Sequence, residues 1–273
     1  MLIAIDFGIS NTDVAISSQK DTSFFSIPSL NTTINSGTIN DILKQNNIDI
    51  SKVKIIGVTG GKSSDLQNSL GEIKIIKINE IEAIGLGAKK LYKLDEKPTL
   101  IVSAGTGTAC VQAQNENFTH LGGIAVGGGM LQGLGSLLFQ NSKGIEINEF
   151  ASKGSRKELD LLIGDVVNKI GTLSPDITAV NFGQASPLTA DKIENTAAAL
   201  CNMIGEVIGT VAYLNALLIG SKKACFIGRT SCLSEVVNGI NQRLELADVN
   251  GQYKENREFG NVIGVLEGLK KYE

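Results

Sequence analysis

The chain has 273 residues, 42% of them hydrophobic and 19% charged, a balance that places it among ordinary globular proteins and excludes a disordered or fibrous one. Lys and Arg number 25 against 28 Asp and Glu, and a formal charge of −3 without any basic tract argues against a nucleic-acid partner. No run of about 18 apolar residues predicts a membrane span, and the opening MLIAIDFG lacks a basic region or cleavage pattern, so no membrane partner and a cytoplasmic location are expected.

Apolar, β-rich runs at 2–6, 14–17 and 24–27, separated by polar and glycine-containing turns, predict an antiparallel meander. A helix over 38–45, a strand over 53–58, the turn Thr59-Gly60-Gly61 and a strand over 73–78 follow. Residues 81–91 read as a helix with Ile84, Ala88 and Leu91 apolar and with Gly85 and Gly87 allowing close packing. Strands over 99–104 and 108–113 flank the turn Gly105-Thr106-Gly107 and repeat the first strand pair roughly 100 residues later, which indicates a duplicated design. Helices are expected over 130–140, over 157–168 and within 189–218. A strand over 223–227 and helices over 231–243 and 259–270 complete the reading. The sum is two α/β lobes with a cleft, divided near residue 95 into 1–95 and 96–273. Cys110, Cys201, Cys225 and Cys232 lack CxxC spacing and read as reduced, buried thiols, and with a single histidine no zinc site is expected.

Three stretches are suited to phosphates. In Asp6-Phe7-Gly8-Ile9-Ser10-Asn11-Thr12 an acidic residue ends an apolar strand, and a turn with Gly8, Ser10 and Thr12 follows. A Mg²⁺-nucleotide needs such parts: a carboxylate for metal-bound water, a glycine for close approach, and N–H and O–H donors for phosphate oxygens. The plain alternative is a hairpin with an exposed Asp. In Ser103-Ala104-Gly105-Thr106-Gly107-Thr108 the loop offers backbone N–H groups and two hydroxyls, without the Gly-Lys-Ser/Thr of a Walker loop. Residues 122–135 hold seven glycines, Gly127, Gly128 and Gly129 among them. Each glycine in an ordered segment costs about 1 kcal/mol relative to Ala, so something is expected to approach that backbone, either an anion at a helix start or a close-packed bend.

Those three stretches, with Asp176-Ile177-Thr178-Ala179-Val180-Asn181-Phe182-Gly183, Phe226-Ile227-Gly228 and the ending 259–269, resemble the type II pantothenate kinases of bacteria, the Fumble-like family, in order and approximate spacing over nearly the full chain. The resemblance implies a duplicated ribonuclease H-like fold of the acetate kinase/hsp70/actin superfamily, in the actin/hexokinase-like two-lobed form with a nucleotide cleft. It implies a homodimer, and transfer of the ATP γ-phosphate to pantothenate with Mg²⁺ held by Asp6 through water. It assigns Glu80 as the catalytic base and Gly228 to the nucleotide site, and it assigns His120, Gly122 and Ala179 to the acceptor. On the residues alone, Glu80 reads first as a solvated acid in a first helical turn, and it is the resemblance that makes it the base.

Two positions depart from the pattern. Asp13 stands where the family's lysine aligns, leaving phosphate charge less well neutralised unless Lys62 substitutes, and His120 stands where the family has an arginine. Arg is permanently charged and forks two donors, whereas an ordinary histidine is mostly neutral near pH 7. The alternatives are a kinase of the same fold acting on another small alcohol or sugar, and a nucleotide-binding protein without phosphotransfer. A dehydratase-activator ATPase needs cysteines placed to share an iron–sulfur cluster, and no such pair stands out.

Overall fold

The computed structural model describes residues 1–18, 21–29, 34–61, 63–167, 174–186 and 192–272; Lys62, Asn168 and Thr189 lie outside these. In β1 (Leu2–Phe7) Ile3, Ile5 and Phe7 point to one face, Leu2 and Ala4 to the other, and both faces are buried. β1 pairs antiparallel with β2 (Asn11–Ser17) and β2 with β3 (Thr22–Pro28), the expected meander. On its other side β1 runs parallel to β4 (Ile55–Thr59). With β5 (Ser69–Leu70) and β6 (Ile73–Lys77) the sheet order is β3-β2-β1-β4-β6-β5. α1 (Ser36–Gln45), N-capped by the Asn35 side chain, covers the Ile3 and Ile5 face with Ile39, Ile42 and Leu43.

The second sheet repeats the plan. β7 (Thr99–Ala104), β8 (Thr108–Gln114) and β9 (Asn117–Ile124) form an antiparallel meander, and a later strand, Lys223–Ile227, runs parallel beside β7. Between them come α2 (Glu80–Tyr92), α3 (Gly128–Phe139), α4 (Gly144–Ala151), the ribbon of β10 (Leu161–Leu162) and β11 (Thr178–Val180), α5 (Ile163–Val166) and α6 (Ile193–Leu218). The parallel strand is β12, followed by α7 (Ser234–Glu245), β13 (Asn250–Gln252) and α8 (Gly260–Leu269), which gives the order β13-β12-β7-β8-β9. Leu100, Val102, Cys110 and Phe226 form a core with residues of α4, α6 and α7, including Ile147, Ile204, Ile208 and Ile240.

The remaining sheet faces are covered by exchange. Ile84 and Ala88 of α2, which follows the first sheet in the chain, pack on Ile101, Val111 and Ile227 of the second. Val262, Val265 and Leu269 of α8, at the end of the chain, pack on Leu2, Ala4 and Ala15 of the first. The two helices cross so closely that a Cβ on Gly87 would lie 1.9 Å from the Gly260 carbonyl oxygen, and one on Gly264 would lie 1.8 Å from that of Ala83.

Several expectations need correction. Residues 157–168 do not form a helix: a 3₁₀ turn (Arg156–Glu158), β10 and α5 occupy the described part. The reason is Asp160, fully buried, which accepts from the Phe182 N–H at 2.9 Å and from Asn202, so the chain bends inward there. The α4 helix was not anticipated. The helix expected from 231 begins at Ser234, after a 3₁₀ turn (Arg229–Cys232). Cys110, Cys201 and Cys225 are buried and free, and burial pushes their thiols up to about 11, 12 and 12. Cys232, by contrast, is exposed, 3.8 Å from Glu258. α6 is long and apolar enough to cross a membrane by length and composition, yet 61% of its apolar window is buried inside the protein.

Gly87→Ala is expected to destabilise the fold by about 1–3 kcal/mol through overpacking on backbone. Gly133→Ala, whose Cβ meets nothing within 4 Å, is expected to be neutral or slightly stabilising. Thermal unfolding of the two variants distinguishes them.

Candidate active site

Two hairpin bends far apart in sequence meet at their tips. Ser10, in the bend between β1 and β2, lies with its Oγ 2.8 Å from Oγ1 of Thr106, in the bend between β7 and β8. Each bend is braced from behind. Ser29 donates to the Gly8 carbonyl at 2.7 Å and sits 3.1 Å from the Thr12 hydroxyl, while the Thr108 hydroxyl donates to the Val126 carbonyl at 2.8 Å. Thr12 and Thr108 therefore act as scaffold, and Ser10 and Thr106 are the hydroxyls at the junction.

Asp6 ends β1 on the face that α8 covers. It is 8% exposed, and its Oδ2 accepts from Asn261 Nδ2 of α8 at 2.9 Å. Gly60, at φ +75°, lets the turn after β4 wrap this carboxylate: a Cβ there would lie 2.2 Å from Asp6 Oδ1. Burial raises the Asp6 pKa to about 7 against the lowering hydrogen bond from Asn261; the charges of Asp13 and Glu80 raise it further, and that of Arg229 lowers it. A buried carboxylate so poorly neutralised is suited to a cation and its water shell, which is the fit a Mg²⁺-nucleotide requires.

The glycines of 127–129 are explained by the neighbouring loop. A Cβ on Gly127 would lie 2.7–3.0 Å from the carbonyl oxygens of Gly105, Thr106 and Gly107, and the N–H groups of Gly128 and Gly129 donate to Gly105 and Thr106 at 2.8 and 2.9 Å. What approaches this backbone is the second bend itself, so these two N–H groups shape the loop instead of facing an anion. Gly228, at φ +88°, packs the next turn on the same place, with a Cβ position 2.5 Å from the Ala104 carbonyl oxygen, and Thr230 donates to Gly105 O at 2.7 Å.

Glu80 is exposed at the first turn of α2, behind Asn79, whose side chain caps the helix at the Ile81 N–H. α2 runs antiparallel to β9, with Gly85 seated on the Phe118 ring and Lys89 paired with Glu116, which turns its N-terminus toward the His120 and Gly122 end of that strand. His120 is exposed, on the edge of the sheet opposite Val111. Ala179 is exposed on β11. Among the described residues no hydrogen bond joins it to Glu80 or His120. Its segment is docked from behind by Arg156, which donates to the Thr178 hydroxyl at 2.8 Å, and by Asn181, which donates to Glu206 at 2.7 Å.

Three residues at the site escaped sequence reasoning: Asn261, Thr230 and Arg229. The Arg229 guanidinium reaches Asp13 with Nη1 to Oδ2 at 2.7 Å and Nη2 to Oδ1 at 2.6 Å. The available signals were a hydroxyl and a cation directly after Gly228 at a strand end, and a polar residue opening a largely apolar terminal helix.

Duplicated meanders whose bends converge beside a buried carboxylate define a two-lobed protein of the actin/hexokinase-like class. The fold matches an activator of 2-hydroxyisocaproyl-CoA dehydratase from Clostridium difficile, with TM-score 0.63 and 14% identity, covering 100% of this chain and 98% of that one. It also matches a ROK family glucokinase from Streptomyces griseus, with TM-score 0.59 and 12% identity, covering 99% of both chains. The Fumble family matches residues 88–238. The chain is 34% identical over 200 residues to a type II pantothenate kinase of Bacillus cereus strain G9842, covering 70% of this chain and 71% of the relative. It is 33% identical over 188 residues to that of Bacillus anthracis, covering 66% and 67%. The chain belongs to the Fumble family, with the type II pantothenate kinases.

Asp6 has a folded pKa above its unfolded value, so its stabilising neutral form is kept at low pH and lost as pH rises from about 4 through 7. Asp6→Asn is therefore expected to stabilise the ligand-free protein by about 2 kcal/mol more at pH 8 than at pH 5.5. Urea unfolding at the two pH values measures this, and an equal effect at both would contradict the assignment.

Proposed function

We infer that the protein transfers the γ-phosphate of ATP to the primary hydroxyl of pantothenate, giving 4'-phosphopantothenate, the first step of coenzyme A synthesis. The observation that carries this reading, beyond family membership, is the meeting of Ser10 and Thr106 beside Asp6, with Glu80 in electrostatic reach of that carboxylate.

In this reading the nucleotide lies along the two bends. Gly8 and Ser10 serve one side and Gly105, Thr106 and Gly107 the other, with Thr12 and Thr108 bracing the bends and Gly127, Gly128, Gly129 and Gly228 shaping the second loop. Asp6 would hold a Mg²⁺ through water, and the ion would supply charge neutralisation to the polyphosphate. Glu80 orients the acceptor hydroxyl and takes its proton as the bond to phosphorus forms. Phosphoryl transfer asks mainly for positioning, so a carboxylate fixed at a capped helix start is sufficient. His120 and Gly122 on β9 lie on the side toward which the Glu80 end of α2 points, and they form the acceptor side together with Ala179.

The protein works in the cytoplasm as a homodimer of two-lobed chains, 1–95 and 96–273. Leu137 and Leu138 on α3, Ile145 on α4, and Leu214, Leu217 and Leu218 at the end of α6 are exposed, and they supply apolar surface for the partner. Replacing Leu217 and Leu218 together by lysine is expected to shift the light-scattering mass from two chains toward one.

Pantothenate-dependent ADP release from Mg²⁺-ATP tests the reaction. Glu80→Gln is expected to lower kcat by about 10²- to 10⁴-fold with little change in the KM for ATP. ADP release that ignores pantothenate but follows a sugar or another small alcohol would reassign the acceptor.

A further inference from the structure

Phosphate loops need positive charge, yet the described surroundings of this site are acidic. Asp6 and Asp13 stand directly opposite each other across β1 and β2, hence on the same face of the sheet, and the charges of both Asp13 and Glu80 are felt at Asp6. Asp13 is only 7% exposed. A polyphosphate brought to the Ser10 and Thr106 junction adds further negative charge. Among the described residues, the cation that acts most strongly on Asp6 is Arg229.

Arg229 belongs to both bends at once. Its backbone is pinned to the second one, between Gly228 packed on Ala104 and Thr230 bonded to Gly105. Its side chain crosses to the first sheet, where the guanidinium makes the two-pronged pair with Asp13, donates to Ser26 Oγ and lies 5.5 Å from the Phe259 ring centroid. Ser26 in turn donates to Asp13 at 2.6 Å and faces it across β2 and β3. These bonds occupy three of the five guanidinium N–H donors and leave the Nε–H and one Nη1–H. The side chain is 35% exposed, so the remaining donors are accessible.

We propose that Arg229 is the phosphate-contacting cation of this kinase: Asp13 and Ser26 hold its guanidinium at the mouth of the two bends, where it binds the terminal phosphate of ATP, and Asp13 is its positioning residue. The proposal rests on the kinase reading above only for the identity of the nucleotide. Arg suits the role because its charge is permanent and its planar fork satisfies a carboxylate on one edge while presenting donors elsewhere.

The test is calorimetric binding of two probes in the presence of Mg²⁺, ADP and the non-hydrolysable β,γ-imido analogue of ATP, to the full chain. Arg229→Gln is expected to weaken the analogue by about 30-fold while changing ADP by less than about 3-fold. Arg229→Lys, which keeps the charge without the fork, is expected to fall between. Asp13→Asn is expected to weaken the analogue as well, but to add almost nothing in the Arg229→Gln background, since the two side chains act as one unit. Unfolding temperatures recorded alongside show whether each variant is folded, and Arg229→Lys serves if Arg229→Gln is not. Equal loss of both nucleotides, or unchanged affinity for the analogue, would make Arg229 a tie between lobes only and overturn the proposal. Normal analogue selectivity in a wild-type protein that phosphorylates nothing in the presence of pantothenate would instead sink the acceptor assignment and leave Arg229 standing.

Discussion

The crossing of α2 and α8 is the contact on which the site depends. Each helix covers the sheet of the other half of the chain, and they pass so closely that backbone meets backbone at Gly87, Gly260, Gly264 and Ala83. Helix axes normally stand about 8–10 Å apart, set by side chains, and glycine permits the approach at the short end of that range. The functional groups hang from this crossing: Glu80 opens α2, and Asn261, one residue into α8, holds the Asp6 carboxylate. A shift of either helix would move Glu80, or the Asn261 side chain that holds Asp6, relative to the two bends.

The charge arrangement works against the stability of the empty protein. Asp6 is buried and feels the charges of two other acids, with one amide hydrogen bond and the Arg229 guanidinium in compensation. Burial without full pairing costs free energy, and the protein carries that cost at Asp6. Two other buried acids of the chain have more partners. Asp160 takes bonds from Phe182, Asn202 and Arg156, and Glu206 lies between Asn181 and Arg243. The contrast sets Asp6 apart from the acids that tie distant segments of the fold together.

Much of this was legible in the residues. The apolar run at 2–6 and the repeat of a strand, a small-residue bend and a strand at 99–113 forecast the duplicated meanders, and the cost of glycine forecast a close approach at 127–129. What the glycines could not say was which backbone would approach, because the 105–107 loop reaches them only through tertiary folding. Residues 157–168 misled because helical spacing of apolar residues ignores Asp160, whose burial is decided by Asn202 and Phe182 from distant segments. Asp13 looked like a defect in a phosphate loop, and its partner lies 216 residues away. Local propensity contains no information about such a pair.

The exchange of helices also dictates an order of assembly. The Leu2 and Ala4 face of the first sheet has no apolar cover until Gly260–Leu269 has been made and docked. Most chains of this length gather their early half as the later half emerges from the ribosome, but here the early sheet keeps a sticky face throughout synthesis. Cleavage that removed α8 would expose in the mature molecule the same apolar surface that synthesis leaves bare.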